Sequence, residues 1–225
     1  MTQERQILEP DGRAVGYVDE GSGPAIVLLP AAGLDFAYLG TLASILVEED
    51  FRVVRIGTRS SGPATMHDLA RDVVDVMDAI GMQDAWIGGH AFGGAVARTV
   101  ALDHHDRVNG ILLLGVEVGA DADRGDVLAA VFGGDYVPDA VLEARHHAAL
   151  TVTPRPDWAT IAPDTPTLVI QGASDTITPP SNGSALQASA PALVSVKEVD
   201  HAGHLFVVTH PGETSWFIED YLDWD

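Results

Sequence analysis

Residues 84–94 read Asp84-Ala85-Trp86-Ile87-Gly88-Gly89-His90-Ala91-Phe92-Gly93-Gly94. Three apolar residues, Ala85, Trp86 and Ile87, run as a β-type segment into the glycine pair Gly88-Gly89. A second pair, Gly93-Gly94, follows three residues later, and Ala95 to Leu102 continues as a helix-like stretch. Strand, Gly-flanked turn and helix in that order are the layout of a nucleophile elbow, G-x-S-x-G, carried here by Gly89, His90, Ala91, Phe92 and Gly93. The turning residue of an elbow occupies strained backbone space, and a Cβ beside it would collide with strand or helix; that is the work of the glycines. At the tip stands Ala91. Its methyl group cannot attack a carbonyl.

On the N-terminal side, Gln6 to Val18 alternates around Pro10-Asp11-Gly12 and predicts a hairpin. Ala25-Ile26-Val27-Leu28-Leu29 reads as a buried strand leaving through Pro30-Ala31-Ala32-Gly33. Phe36 to Leu46 has helical spacing, and Phe51 to Ile56 is the next strand. Thr65 opens a helix, with Asp68 completing a capping-box variant; Leu69, Val73, Val76, Met77 and Ile80 share a face, and Gly81 ends it. Beyond the elbow, Ile111 to Leu114 and Thr167 to Ile170 are buried strands, Leu193 to Val199 a last strand, and Ser181 to Ala190 and Gly212 to Leu222 helices. Residues 116–165 break this rhythm, with helical patches near Val127–Phe132 and Ala140–Leu150 and a Pro-rich exit. Short apolar strands alternating with amphipathic helices predict an α/β fold: a mostly parallel twisted sheet, antiparallel strands at its N-terminal edge and helices on both faces. The expected organisation is one domain over residues 1–225, with a small cap inserted at about 116–165 over the carboxyl ends of the strands, where such sheets bind ligands.

Composition narrows the function. In 225 residues there are 33 acidic and 12 basic side chains, for a net charge of −21. Phosphate neutralisation would be repulsive, so nucleic acid and anionic membranes are disfavoured as partners, and a small-molecule substrate is the expectation. A hydrophobic content of 46% and a charged content of 20% are those of a soluble globular protein. No cysteine is present, which excludes disulfides, thiolate metal sites and a Cys nucleophile. The N-terminal residues lack an apolar signal-peptide run, so a cytoplasmic monomer or homodimer is expected.

With these motifs in hand, the chain resembles an α/β-hydrolase-fold protein over nearly its whole length outside residues 116–165, in the chain order nucleophile, acid, base. The resemblance puts the acid at Asp175, in Gln171-Gly172-Ala173-Ser174-Asp175 just past a strand; the competing reading is a turn-forming Asp. Glu117, after the strand Ile111–Leu114, is the second acid position some family members use. The base falls at His204, in Asp200-His201-Ala202-Gly203-His204, because Gly-His in the loop after the last strand is the family's pattern; His201 reads as a rim residue. The oxyanion hole would be the main-chain N–H groups of Phe92 and Ala32. The chain departs from the family at Pro30-Ala31, where His-Gly is common, and at Gly57-Thr58-Arg59-Ser60-Ser61-Gly62, where Asp-x-Arg-Gly-x-Gly is common. Arg59 reads as structural, and neither Ser60 nor Ser61 lies on an elbow to replace the missing nucleophile. His90, Phe132, Trp158 and Leu205 are the substrate-binding expectations, with Val127, Leu128, Val131, Tyr136, Leu142 and Leu150 as further apolar cap content. His90 also reads as a packing residue under the elbow. No cofactor is expected. His201, His204 and His210 make only a weak metal pattern. His104 and His105 read as solvated surface, while His146 and His147 in the insertion stay open.

Three explanations fit Ala91: a serine replaced by alanine on purpose, a natural binding protein without turnover, or a site that needs acid–base help but no covalent step. Retention of Asp175, a Gly-His loop and the full glycine frame around one missing oxygen favours the first. The expected protein is therefore a hydrolase of small neutral or hydrophobic carbonyl compounds such as esters or lactones, inactive as it stands. The alternative is a natural non-hydrolytic member using His204 and Asp175 for elimination, cyclisation or isomerisation, or a small-molecule-binding pseudoenzyme.

Overall fold

The computed structural model describes residues 4–59, 61–119, 125–133 and 139–223. Its chain begins with β1 (Gln6–Leu8), a 3-10 turn at Pro10–Gly12, β2 (Val15–Gly21) and β3 (Ala25–Leu29). A 3-10 turn at Phe36–Leu39 leads into α1 (Gly40–Glu48), then β4 (Arg52–Ile56), α2 (Met66–Ala79), β5 (Ala85–Ala91) and α3 (Phe92–Asp103). After β6 (Val108–Val116) come α4 (Gly125–Phe132), α5 (Ala140–Val152) and α6 (Pro156–Ala159). The chain closes with β7 (Thr167–Gly172), α7 (Pro180–Ser189), β8 (Val194–Val199), α8 (Phe206–Thr209) and α9 (Pro211–Leu222).

The described strands form one sheet in the order β1-β2-β4-β3-β5-β6-β7-β8. β1 and β2 are antiparallel to their neighbours, and every pair from β4 to β8 is parallel. Because side chains alternate across a strand, each central strand feeds two cores. Val27, Leu29, Ile87, Ile111, Leu113 and Val169 join α2, α3 and Leu186 of α7 on one face. Ile26, Leu28, Trp86, Leu112, Leu114, Leu168 and Ile170 meet α1, α8 and α9 on the other. The expected doubly covered sheet with antiparallel N-terminal strands is what the chain adopts.

Local signals explain the elements that place the site. Thr65 accepts from the Asp68 N–H while the Asp68 side chain accepts from the Thr65 N–H, a complete capping box at the start of α2. Arg59 grips Asp72 of α2 through Nε at 2.7 Å and also donates to the Asp68 carbonyl, and Arg13 binds the same carboxylate, so Arg59 is structural. Arg98, fully buried in α3, donates to the carbonyls of Ala159 and Glu117 and so pins α6 and the β6 exit to the elbow helix. Burial pushes its pKa down to about 10, against the opposing pull of Glu117.

Candidate active site

The hinge of the site is Ala91, whose backbone lies at φ 47°, ψ −106° between β5 and α3. No L-residue adopts that conformation without strain, and it holds only because the surroundings allow a very sharp turn. Gly89 and Gly93 supply the room. A Cβ at Gly89 would lie 2.1 Å from the Gly93 carbonyl carbon, and one at Gly93 would lie 2.4 Å from the Leu29 oxygen. Phe92 is the first residue of α3, so its N–H has no partner within the helix, as at any helix N-terminus.

Asp175 follows β7, and His204 follows β8. The two side chains meet: His204 Nδ1 lies 3.0 Å from Asp175 Oδ2. The carboxylate accepts further bonds from the N–H groups of Ile177 (2.8 Å) and Thr178 (2.9 Å) and from the Thr178 hydroxyl (2.6 Å). Burial is the largest single influence on this carboxyl and pushes its pKa up. The hydrogen bond and charge of His204, with the Thr178 donors, outweigh it and hold Asp175 below its ordinary range. An ionised Asp175 fixes the His204 hydrogen on Nδ1, leaving Nε2 as the basic nitrogen. Nε2 is buried and has no hydrogen-bond partner among the described residues. Gly172 makes this arrangement possible from below: a Cβ there would lie 2.6 Å from the carbonyl oxygens of both Ala202 and Gly203, so only glycine lets the His204 loop rest on β7.

His90, next to Ala91, touches the His204 loop directly. Its Nε2 bonds the His204 carbonyl at 2.9 Å, its Nδ1 bonds the Tyr38 hydroxyl at 2.9 Å, and its ring centroid is 4.7 Å from that of His204. Ala91 itself packs in a small apolar cluster with Ala31, Leu34, Leu128 and Leu205, flanked by Tyr38, Val131 and Phe132. Phe132 and Leu205 are thus at the elbow. Trp158 is not: it is buried in the main core with Val96, Leu150 and Ala162, its indole N–H on the Thr153 carbonyl, which corrects its expected place in the pocket. An apolar residue in the insertion was free to pack either way, and α6 turns this one inward.

Ala32, expected to contribute to an oxyanion hole, sits in the tight turn leaving β3. The N–H of Ala31 donates to the Tyr38 hydroxyl and that of Gly33 to His146 Nδ1. His146 also reaches Thr58 Oγ1 through Nε2 (2.7 Å) and stacks on Phe92 at 4.3 Å, so it docks α5 onto the elbow. Neither Tyr38 nor the docking role of His146 has a signature in the sequence; each lies within a helical pattern that does not announce its distant partners. Glu117 does not join His204. Its carboxylate caps the N–H groups of Val118 and Gly119. Ser60 and Tyr136 lie outside the described residues. Among the described residues no group of three or more His, Cys, Asp or Glu side chains could hold a metal ion, and no helix is long and apolar enough to cross a membrane.

Comparison with known proteins agrees with this fold. The family model for the alpha/beta hydrolase fold matches residues 48–133. A protein of Caulobacter segnis provisionally named carbamate hydrolase RutD is 42% identical over 53 residues, 24% of this chain and 20% of that protein. The chain's matches span 20% to 38% of the length of three such curated relatives. Among solved structures, a hydrolase from Pseudomonas aeruginosa PA01 is 26% identical with a TM-score of 0.70, covering 99% of both chains. A thermophilic esterase from Thermogutta terrifontis is 20% identical with a TM-score of 0.76, covering 98% of both. By its sheet order and these matches, the chain has the α/β-hydrolase fold.

Proposed function

We propose that this chain is a serine-hydrolase scaffold for small neutral or hydrophobic carbonyl compounds, with residue 91 at the nucleophile position in a Ser-to-Ala form that binds substrate without turning it over. The observation that carries this reading is the buried, unpartnered Nε2 of His204, its opposite nitrogen on Asp175, beside an elbow that keeps its strained turn. With a serine at 91, His204 would take the hydroxyl proton as it attacked an ester, thioester or amide carbonyl. Asp175 would hold the tautomer and stabilise the imidazolium, and the Phe92 and Ala32 N–H groups would receive the oxyanion. A water activated by His204 would then release the acid. Loss of a triad nucleophile lowers turnover by about six powers of ten in a well-studied protease, so the chain as it stands should be inert toward esters.

The apolar cluster over Ala91 supports a hydrophobic acyl or ring group. Ala91 and His204 are both buried, and Leu128 of α4 packs in the cluster around Ala91. Relatives named as an esterase and a carbamate hydrolase are consistent with carbonyl chemistry. A second reading draws on the four hydrogen bonds that Asp175 accepts, because they leave a fully built base that needs no hydroxyl. On it, His204 moves protons in an elimination or isomerisation. Turnover of short p-nitrophenyl esters separates the two: Ala91→Ser should hydrolyse them, and adding His204→Ala should abolish that. An Ala91→Ser variant as inert as the parent refutes the hydrolase reading and leaves the acid–base one.

A further inference from the structure

The mechanism outlined above uses Asp175 to orient the base from one side. A second support reaches the same histidine through its main-chain carbonyl, and its polarity follows from its two ends. The His204 carbonyl can only accept, so the bond of 2.9 Å from His90 puts the His90 hydrogen on Nε2. In a neutral ring Nδ1 is then an acceptor, and the Tyr38 hydroxyl 2.9 Å away must donate to it. The Tyr38 oxygen in turn accepts from the Ala31 N–H at 2.9 Å. The result is one directed chain: Ala31 N–H to Tyr38 O–H to His90 Nε2–H to the His204 carbonyl. It joins residues 7, 52 and 114 positions apart in sequence.

We propose that Tyr38 and His90 are positioning residues that hold the base loop and the β3 exit at a fixed separation, so that His204 Nε2 and the Ala32 side of the turn face the same point above residue 91. This rests on the reading of His204 as the base. Asp175 fixes the rotation of the imidazole through Nδ1, and the relay fixes the main chain that carries it. Two anchors, one on the ring and one on the main-chain carbonyl, define where Nε2 points. His90 has no freedom to drift. It is fully buried, Phe206 meets its ring edge-on at 5.9 Å, and its own main chain is the last regular step of β5 before the elbow. Tyr38 also contacts Phe132 of α4 edge-to-face at 6.2 Å, so the relay extends to the cap. Coupled hydrogen bonds of this kind polarise one another in a buried setting, and each rests on the next.

The test has two arms. In an Ala91→Ser background assayed with p-nitrophenyl acetate, Tyr38→Phe and His90→Leu should each lower kcat at least about tenfold with KM nearly unchanged, since misplacement of a catalytic group acts on the reacting geometry. His90→Gln, whose amide N–H can replace Nε2–H toward the His204 carbonyl, should recover most of that loss. The other arm needs no turnover: ring-15N spectra of the unsubstituted chain at neutral pH should find His90 neutral with its hydrogen on Nε2. In the same spectra the His204 Nδ1–H should exchange with solvent faster in Tyr38→Phe and His90→Leu than in the parent or in His90→Gln. A hydrogen on His90 Nδ1, or unchanged His204 exchange in folded Tyr38→Phe, overturns the proposal. An inert Ala91→Ser protein would count against the hydrolase reading alone, and the spectra would still decide this one.

Discussion

Replacing Gly89 with alanine should loosen the elbow without touching any polar group of the site. The new Cβ would lie 2.1 Å from the Gly93 carbonyl carbon, 2.3 Å from its oxygen and 2.4 Å from the Gly94 nitrogen. Ordinary contact begins at 3.4 Å, so β5 and the first turn of α3 must part by about an ångström. All three atoms are backbone, and no rotamer change can absorb the clash. Overpacking costs about 1–3 kcal/mol where side chains can give, and here the upper end is the expectation, about 3 kcal/mol. For a domain of this size that is a fall in Tm of roughly 6–12 °C. The control is Gly212→Ala at the start of α9, where a Cβ meets nothing within 4 Å. That change should be neutral or stabilise by up to about 1 kcal/mol through the unfolded chain. Thermal unfolding followed by circular dichroism reads both. A Gly89→Ala protein melting within a degree of the parent would refute the claim that close approach, rather than habit of sequence, requires glycine there.

Further expectations concern charge. Arg98→Met removes the donors to the part-buried Ala159 and buried Glu117 carbonyls, which should destabilise by about 3 kcal/mol in urea unfolding; a loss under about 1 kcal/mol would contradict the bracing role of Arg98. His67 is held above its ordinary pKa of 6.5 chiefly by its hydrogen bond to Asp103, with Asp157 adding to it and partial burial opposing. A raised histidine pKa means stabilisation that is complete below pH 6.5 and lost as pH climbs through the higher folded value. His67→Asn should therefore flatten the stability profile between pH 6.5 and the alkaline side of neutral, by well under about 1 kcal/mol because the ring is nearly half exposed. Equal pH slopes for parent and variant would sink this assignment.

Much of the architecture was readable because the informative residues act locally. The apolar runs of β3, β6 and β7 have no alternative to burial, and Thr65 with Asp68 caps α2 through bonds three residues apart. The elbow was readable because glycine is the one residue that tolerates the approach of Gly89 to Gly93. The pairing of Asp175 with His204 came from family resemblance, and contacts across 29 residues leave no periodic trace. Three features escaped. Pro156 reads as part of a Pro-rich exit, yet proline at the first position starts α6 as readily as it ends a strand. Trp158 was placed at the pocket by composition alone, and α6 turns it into the main core instead. Tyr38 became important through partners at Ala31 and His90, and nothing in its own neighbourhood announces them.

The central claim is that residue 91 stands where a nucleophile would be served by His204. Fluorophosphonate labelling with mass spectrometry tests it most directly, since the reagent bonds covalently only to a serine whose proton a neighbouring base removes. The Ala91→Ser protein should gain one adduct, on the peptide containing residue 91, and the parent and the Ala91→Ser/His204→Ala double variant should gain none. An Ala91→Ser protein that folds normally and takes no label at residue 91 would contradict the account.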